Sequence, residues 1–291
     1  TNPLLAARLH TSLGDLIQAH AQDAGSLQRA LACYERAATL FALHGTPEDL
    51  AAVQMNQGSA WQGMGGDLRG TLLKAINFYH QALRVFTLAT HPGEYALIHN
   101  NLAAAYQRLP MGGEQDVMRQ ALAVQSMQEA LKVYTIEDFP REYAMVQNNL
   151  GNAYCEFPTG DHGENLRQGI ACYNAALRVR TEAAFPAEWA RTQNNLGNAY
   201  RNLPMGERSE NLSQAIACYN AALRVHTEAA FPAQWAGTQN NLGNAYRVLP
   251  TGDRGENLRQ AIAYYNAALR VYTEAAFPAN WAMTQNNLGT A

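Results

Sequence analysis

The sequence predicts an all-α chain built as a stack of tandem helix pairs, and three observations carry that reading. Phe185-Pro186, Phe231-Pro232 and Phe277-Pro278 recur 46 residues apart, and 37 of the 46 residues in 185–230 are repeated identically in 231–276. A second anchor, Leu-Gly-Asn-Ala-Tyr, stands at 150–154, 196–200 and 242–246. Ten of the eleven prolines mark the same period, with Pro3 left over, and none falls inside a stretch of apolar periodicity. A period of roughly 20–50 residues signals an array whose units stack to share a core, because a single helix pair cannot cover both of its own faces.

The units follow in order. The first, 1–45, carries a degraded anchor, Leu13-Gly14-Asp15-Leu16-Ile17, and the second, 46–90, carries Gln57-Gly58-Ser59-Ala60-Trp61. The third, 91–138, has Leu102-Ala103-Ala104-Ala105-Tyr106; the fourth to sixth, 139–184, 185–230 and 231–276, have the full anchor; a final first helix occupies 277–291. Within a unit, helix A opens on proline (Pro47, Pro92, Pro140, Pro186, Pro232, Pro278), which a first helical turn tolerates because its N–H has no partner there. In the fifth unit helix A runs from Pro186 to about Asn202, and Leu203-Pro204-Met205-Gly206-Glu207-Arg208 breaks it. Helix B follows from about Asn211 to Ala229, with Leu212, Ala215, Ile216, Tyr219, Ala222, Leu223 and Val225 on one stripe.

Length variation is confined to one connection. From the second aromatic slot (Tyr34, Tyr79, Met127, Tyr173, Tyr219, Tyr265) to the next anchor glycine slot the separation is 24 residues in all six cases. A constant connection is a packed one, so the turns from helix B to the next helix A are expected to superpose, and the A–B loops to vary on the surface.

Composition narrows the function. The 21 basic residues include only two lysines, Lys74 and Lys132, against 24 acids, for a net charge of −3, so no basic field for nucleic acid or anionic lipid is present. No apolar stretch reaches the roughly 20 residues of a membrane span. Cys33, Cys155, Cys172 and Cys218 form neither metal-type pairs nor a disulfide density, which points to a reducing, cytoplasmic setting. The eight histidines form no i, i+4 pair, and Gly63-Met64-Gly65-Gly66 lacks the Lys-Ser/Thr ending of a phosphate loop. Neither a catalytic residue, nor a metal, nor a cofactor is expected. The chain opens at Thr1 without a leader and stops within a unit at Ala291, and it reads as a piece of a longer protein.

The unit resembles the tetratricopeptide repeat, with Leu196, Gly197 and Tyr200 on helix A and Ala215, Tyr219 and Ala222 on helix B of the fifth copy. It is longer than the usual unit of about 34 residues, and its Asn-Asn-Leu-Gly run is similar to the extended repeats of kinesin light chains and bacterial signalling proteins. The usual Trp slot holds Gln193, Gln239 and Gln285, while Trp189, Trp235 and Trp281 stand four residues earlier. The resemblance implies a right-handed α-solenoid with the A helices on its concave side, and a non-catalytic module that binds an extended protein or peptide segment as the sensor or scaffold part of a bacterial signalling protein.

It also implies which residues line the groove. Two before the anchor Leu stand Asn100, Asn148, Asn194, Asn240 and Asn286, and two after it stand Asn152, Asn198 and Asn244; four apart on a helix, the two sets share a face. An amide can pair with a peptide N–H or C=O whatever the peptide's sequence. Arg191, Arg201 and Arg247 on the same face would favour an acidic segment. The Asn immediately before the anchor Leu (Asn101, Asn149, Asn195, Asn241, Asn287) points elsewhere and is expected to brace neighbouring repeats. Two alternatives stay open: a self-assembling scaffold that stacks through an uncapped C-terminal helix, and a regulatory array for a caspase-like peptidase or a signalling NTPase.

Overall fold

The computed structural model describes residues 2–110 and 112–291, and for Glu114 the backbone alone. The chain divides into two units, Thr1–Phe139 and Pro140–Ala291. Among the described residues every regular element is a helix. The first unit holds α1 (Pro3–Ala19), α2 (Ala24–His44), α3 (Pro47–Gly63), α4 (Leu68–Ala82), α5 (Pro92–Arg108) and α6 (Glu114–Ala130). The second holds α7 (Pro140–Cys155), α8 (His162–Leu177), α9 (Pro186–Asn202), α10 (Arg208–Leu223), α11 (Pro232–Arg247), α12 (Arg254–Leu269) and α13 (Pro278–Gly289). Odd-numbered helices are the A helices, and each packs on its own B helix and on the B helix before it within the unit. In the second unit α9 touches both α7 and α11, whereas successive B helices approach each other less. Within the second unit the A helices therefore form the inner side.

One contact explains the Gly–aromatic pairing. A Cβ at Gly151, Gly197 or Gly243 would lie 2.6, 2.6 or 2.5 Å from Cε1 of Tyr173, Tyr219 or Tyr265. The ring of helix B lies directly on the backbone of helix A, a seat that only glycine leaves open. In the third repeat the ring is replaced by Met127, and the glycine slot holds Ala103; both are buried.

The A–B loops of the fifth and sixth repeats turn on glycines in the left-handed region, Gly206 (φ 78°) and Gly252 (φ 80°), and each is pinned by a buried amide. Asn211 Nδ2 donates to the carbonyls of Leu203 and Met205, and Asn257 Nδ2 to those of Leu249 and Thr251. Asp161 and Asp253 accept from the backbone N–H three residues on and cap α8 and α12, which gives these loop acids a structural role.

Helix B is shorter than its periodicity predicts. α10 ends at Leu223 rather than Ala229, and the following segment folds back as a turn. Thr227 is the cause: its Oγ1 accepts from the N–H of Ala230 at 3.2 Å, offering the backbone an alternative to the next helical bond. Thr87, Thr135, Thr181 and Thr273 hold the same place and make the same bond to the N–H three residues on. The first repeat has Ala42 there, and α2 continues unbroken to His44, where Thr46 and Asp49 form a reciprocal cap at the start of α3. The B–A connection thus keeps its length in all six copies but not its conformation, and the expected superposition fails at the first.

Candidate functional site

The inner face of the second unit carries the asparagine ladder, and its two rungs behave differently. The Asn two residues after the anchor Leu is held by its own repeat. Tyr173, Tyr219 and Tyr265, the rings seated on glycine, donate their hydroxyl protons to Oδ1 of Asn152, Asn198 and Asn244 at 2.8, 2.8 and 2.9 Å. Each amide is half-buried and turns its oxygen toward helix B. The Nδ2 group is then left on the open side, so this row presents donors. Burial pushes the Tyr219 hydroxyl well above the usual tyrosine range, and that hydroxyl stays a donor at any working pH.

The Asn two residues before the anchor Leu departs from the groove expectation. Asn148 and Asn240 are 2% and 3% exposed and face the next repeat. Thr192 Oγ1 lies 3.0 Å from Asn148 Oδ1, and Asn287 Nδ2 donates to Asn240 Oδ1 at 3.1 Å. Asn194, half-buried, accepts from Thr238 Oγ1 and Asn241 Nδ2 at 3.3 and 3.2 Å. These amides hold one A helix to the next, and Asn148 and Asn240 are buried there rather than open to a groove. The helix periodicity gives them the right face, but neighbouring A helices approach closely enough to cover it. Asn286 on α13 is exposed, and Asn100 in the first unit is half-buried. Three of the five Asn immediately before the anchor Leu brace neighbouring repeats: Asn195 donates to Asn152 Oδ1 at 3.1 Å, as Asn241 does to Asn194 and Asn287 to Asn240.

Two clefts repeat along this face. One is lined by Asn152, Cys155, Glu156, Asn195, Asn198 and Arg201, and the other by Arg201, Asn202, Arg208, Asn244 and Arg247. Arg208 and Arg254 donate to the terminal carbonyls of the A helices at Arg201 and Arg247, which anchors them beside the ladder. Arg247 Nε is sealed and unpaired. The second cleft thus gathers three guanidinium groups and two amides, and no carboxylate lines it. Sequence reasoning picked out Arg201 and Arg247 but missed Arg208, which it assigned to the A–B loop and which opens α10 with its side chain turned back to helix A.

The aromatic slots are structural. Trp189 is 7% exposed, and the Arg224 guanidinium lies 5.0 Å from its ring while pairing with Glu182 of the preceding repeat at 2.6 Å. Trp235, Arg270 and Glu228 form the same arrangement one repeat later. Cys172 and Cys218 are buried, and burial pushes both thiols up to about 11, away from the reactive thiolate. Cys155 lines the first cleft, yet its sulfur packs against Gly169, and burial raises its thiol too. Among the described residues no cluster of His, Cys, Asp and Glu could hold a metal ion, and no helix is long and apolar enough to cross a membrane.

No protein-family model and no curated protein matches the chain. Solved structures do. RapI in its apo form aligns over 98% of this chain and 95% of its own at 11% identity, with a TM-score of 0.61. BtubC (BKLC) from P. vanneervenii aligns over 96% and 93% at 20% identity with a TM-score of 0.55. The C-terminal part of a TPR repeat-containing protein from Cytophaga hutchinsonii aligns over 99% and 95% at 14% identity, with a TM-score of 0.51. At these identities the likeness is one of fold, and the fold is that of a tetratricopeptide repeat solenoid.

Proposed function

We propose that the chain is a non-catalytic interaction module that holds an extended, acidic protein segment along the inner face of its A helices, as part of a bacterial signalling protein working in the cytoplasm. The observation that carries this reading is the orientation of Asn152, Asn198 and Asn244. A tyrosine hydroxyl occupies each amide oxygen, so the row turns an N–H donor outward in each of these three repeats. A segment laid across it would be met through its carbonyl oxygens, with carboxylates drawn to Arg201, Arg208 and Arg247 by charge-assisted bonds. Preorganised donors of this kind bind without first losing side-chain freedom, and that freedom is a large part of the cost of association.

The test exploits the same geometry. Changing Asn152, Asn198 and Asn244 to Asp keeps an acceptor for each tyrosine and replaces each outward donor by an acceptor. Wild-type chain used as bait for a phage-displayed random peptide library should select sequences rich in Asp and Glu. The triple variant, shown by circular dichroism to be equally helical, should release them. Selected peptides that bind both proteins equally, or no selection at all, would move recognition off this face.

A further inference from the structure

The first helix carries an apolar stripe that the repeat does not account for. Leu5, Leu9, Leu13 and Leu16 of α1 are 47–63% exposed. Spaced four, four and three residues apart, they share one face of the helix. That face lies nearly opposite Ala7 and Gly14, which are buried toward α2 and its Tyr34 ring. Leu9 and Leu13 stand in slots that hold Ile98 and Leu102 in α5, where both are buried and α4 packs on the helix.

Leu5 and Leu16 have no such counterparts. The slot of Leu5 is polar in the other six A helices, as Asp49, Glu94, Glu142, Glu188, Gln234 and Asn280. The slot of Leu16 is alanine in all six, as Ala60, Ala105, Ala153, Ala199, Ala245 and Ala291. Side chains at a contact set how near two helices come, so a leucine here holds a neighbour farther off than the alanines hold a helix B. The face of α1 is therefore shaped for a partner other than a helix B of this repeat, and it matches a second copy of itself. Leu9, Leu13 and Leu16 follow the alternating four–three spacing of a helix–helix seam. With two copies of α1 antiparallel about a twofold axis at residue 11, Leu9 meets Leu13 of the second copy and Leu5 meets Leu16. Arg8 and Asp15 lie seven apart on one flank of the stripe, and the same register sets each against the opposite charge. Both are exposed. Among the described residues Arg8 makes no ion pair, and Asp15, whose Oδ1 accepts from Tyr34 and Asn56, takes no hydrogen bond at Oδ2.

We propose that the leucine face of α1 is a dimer interface, on which a second copy of this chain docks its own α1 antiparallel and pairs its Asp15 with Arg8. A twofold contact of this kind uses one patch twice, so a stripe that complements itself in apolar register and in charge is all that it requires. Closure about the axis covers the leucines of both copies and stops assembly at two. Asn152, Asn198 and Asn244 lie on other helices and take no part, so this inference stands apart from the interaction reading above.

The test is the state of association of the full chain. Sedimentation velocity over a concentration series up to about 500 μM, which covers micromolar affinities, should show monomer passing to dimer and no larger species. A variant with both Leu9→Glu and Leu13→Glu, exposed positions whose change is checked by circular dichroism for equal helicity, should stay monomeric throughout. Arg8→Glu should weaken the dimer several-fold by setting like charge against Asp15. Cross-linking reads the direction of the helices: Leu9→Cys mixed with a size-tagged Leu13→Cys under mild oxidation should give the mixed disulfide in excess over both like-with-like products. Wild type, which keeps Cys33, Cys155, Cys172 and Cys218, serves as the blank. A monomer at every concentration would leave the stripe to a preceding helix or to another protein, and would overturn the proposal. So would a dimer that the double Glu variant leaves intact, an excess of like-with-like disulfides, or open-ended assembly that Met283→Glu on α13 abolishes.

Discussion

Placing a methyl group at Gly197 should destabilise the fifth repeat, and removing the ring that excludes it should reverse the effect. In Gly197→Ala the new Cβ would sit 2.6 Å from Cε1 of Tyr219, a fully buried ring. A carbon–carbon contact is comfortable at about 3.5–4.0 Å, so ring and helix must part by about 1 Å. Overpacking of this kind costs about 1–3 kcal/mol, and a rigid ring held at its hydroxyl by Asn198 puts it near about 3. Alanine returns about 1 kcal/mol of helix propensity, for a net loss of about 2. On a Tyr219→Met background the clash is gone and the propensity gain remains, so the same Ala should stabilise by about 1 kcal/mol. The coupling between the two sites is then about 3 kcal/mol. The third repeat already has that pair, as Ala103 and Met127. Urea unfolding of the four proteins followed by circular dichroism, with hydrogen exchange of the α9 amides to localise the loss, measures the cycle. A neutral Gly197→Ala, or an equal cost on both backgrounds, would refute the seat-on-glycine argument.

Other expectations follow from single contacts. Thr227→Ala removes the Oγ1 bond to Ala230 and should cost about 0.5–2 kcal/mol, the range for loss of a capping hydroxyl, with faster amide exchange at Ala230 as the check. His226→Phe should raise the urea midpoint by removing an unpaired buried nitrogen; a lowered midpoint would mean that His226 has a partner in solution. Glu182→Gln should shift stability by less than about 0.5 kcal/mol because both members of its pair with Arg224 are largely exposed, whereas Trp189→Ala should cost about 3 kcal/mol or more in the same assay. His99 in the first unit packs tilted against Tyr95, ring centroids 4.3 Å apart, with Nδ1 unbonded, and burial pulls it down to about 4 against the field of Glu129, with His80 and Lys132 adding to the drop. Its folded pKa lies below its unfolded value, so the unfolded chain takes up its proton first. The neutral ring's contribution to stability is complete above about pH 6.5 and falls away as pH drops toward 4. Urea midpoints between pH 7 and 4 should fall more steeply for wild type than for His99→Leu.

The repeat could be read along the chain because its signals are local. Proline at the first turn of helix A, glycine in the A–B loop and an apolar stripe on helix B act within a few residues, and together they place all the helix pairs. The Thr that ends helix B is local as well, but periodicity alone extends α10 past it, since the residues of the turn are as apolar as those of a helix. The glycine anchor was visible as a pattern, yet its reason lies 22 residues away in the ring of Tyr219, and only packing brings the two together.

The ladder shows the division most sharply. Helical spacing alone put Asn194 and Asn198 on one face, because a four-residue step is nearly a full turn. Which of them is free is decided by what neighbouring helices bring to that face. Thr192 and Asn287, from the next repeats, reach Asn148 and Asn240 and cover them, while the tyrosines of helix B take the oxygens of Asn152, Asn198 and Asn244 and leave their N–H groups outward. The unpaired ring of His226 beside Gly237 was likewise beyond any reading of the chain, for being without a partner is a property of surroundings. Local chemistry determines where the chain turns and which residues share a face. The close approach of one repeat to the next determines which polar groups on that face remain unspent.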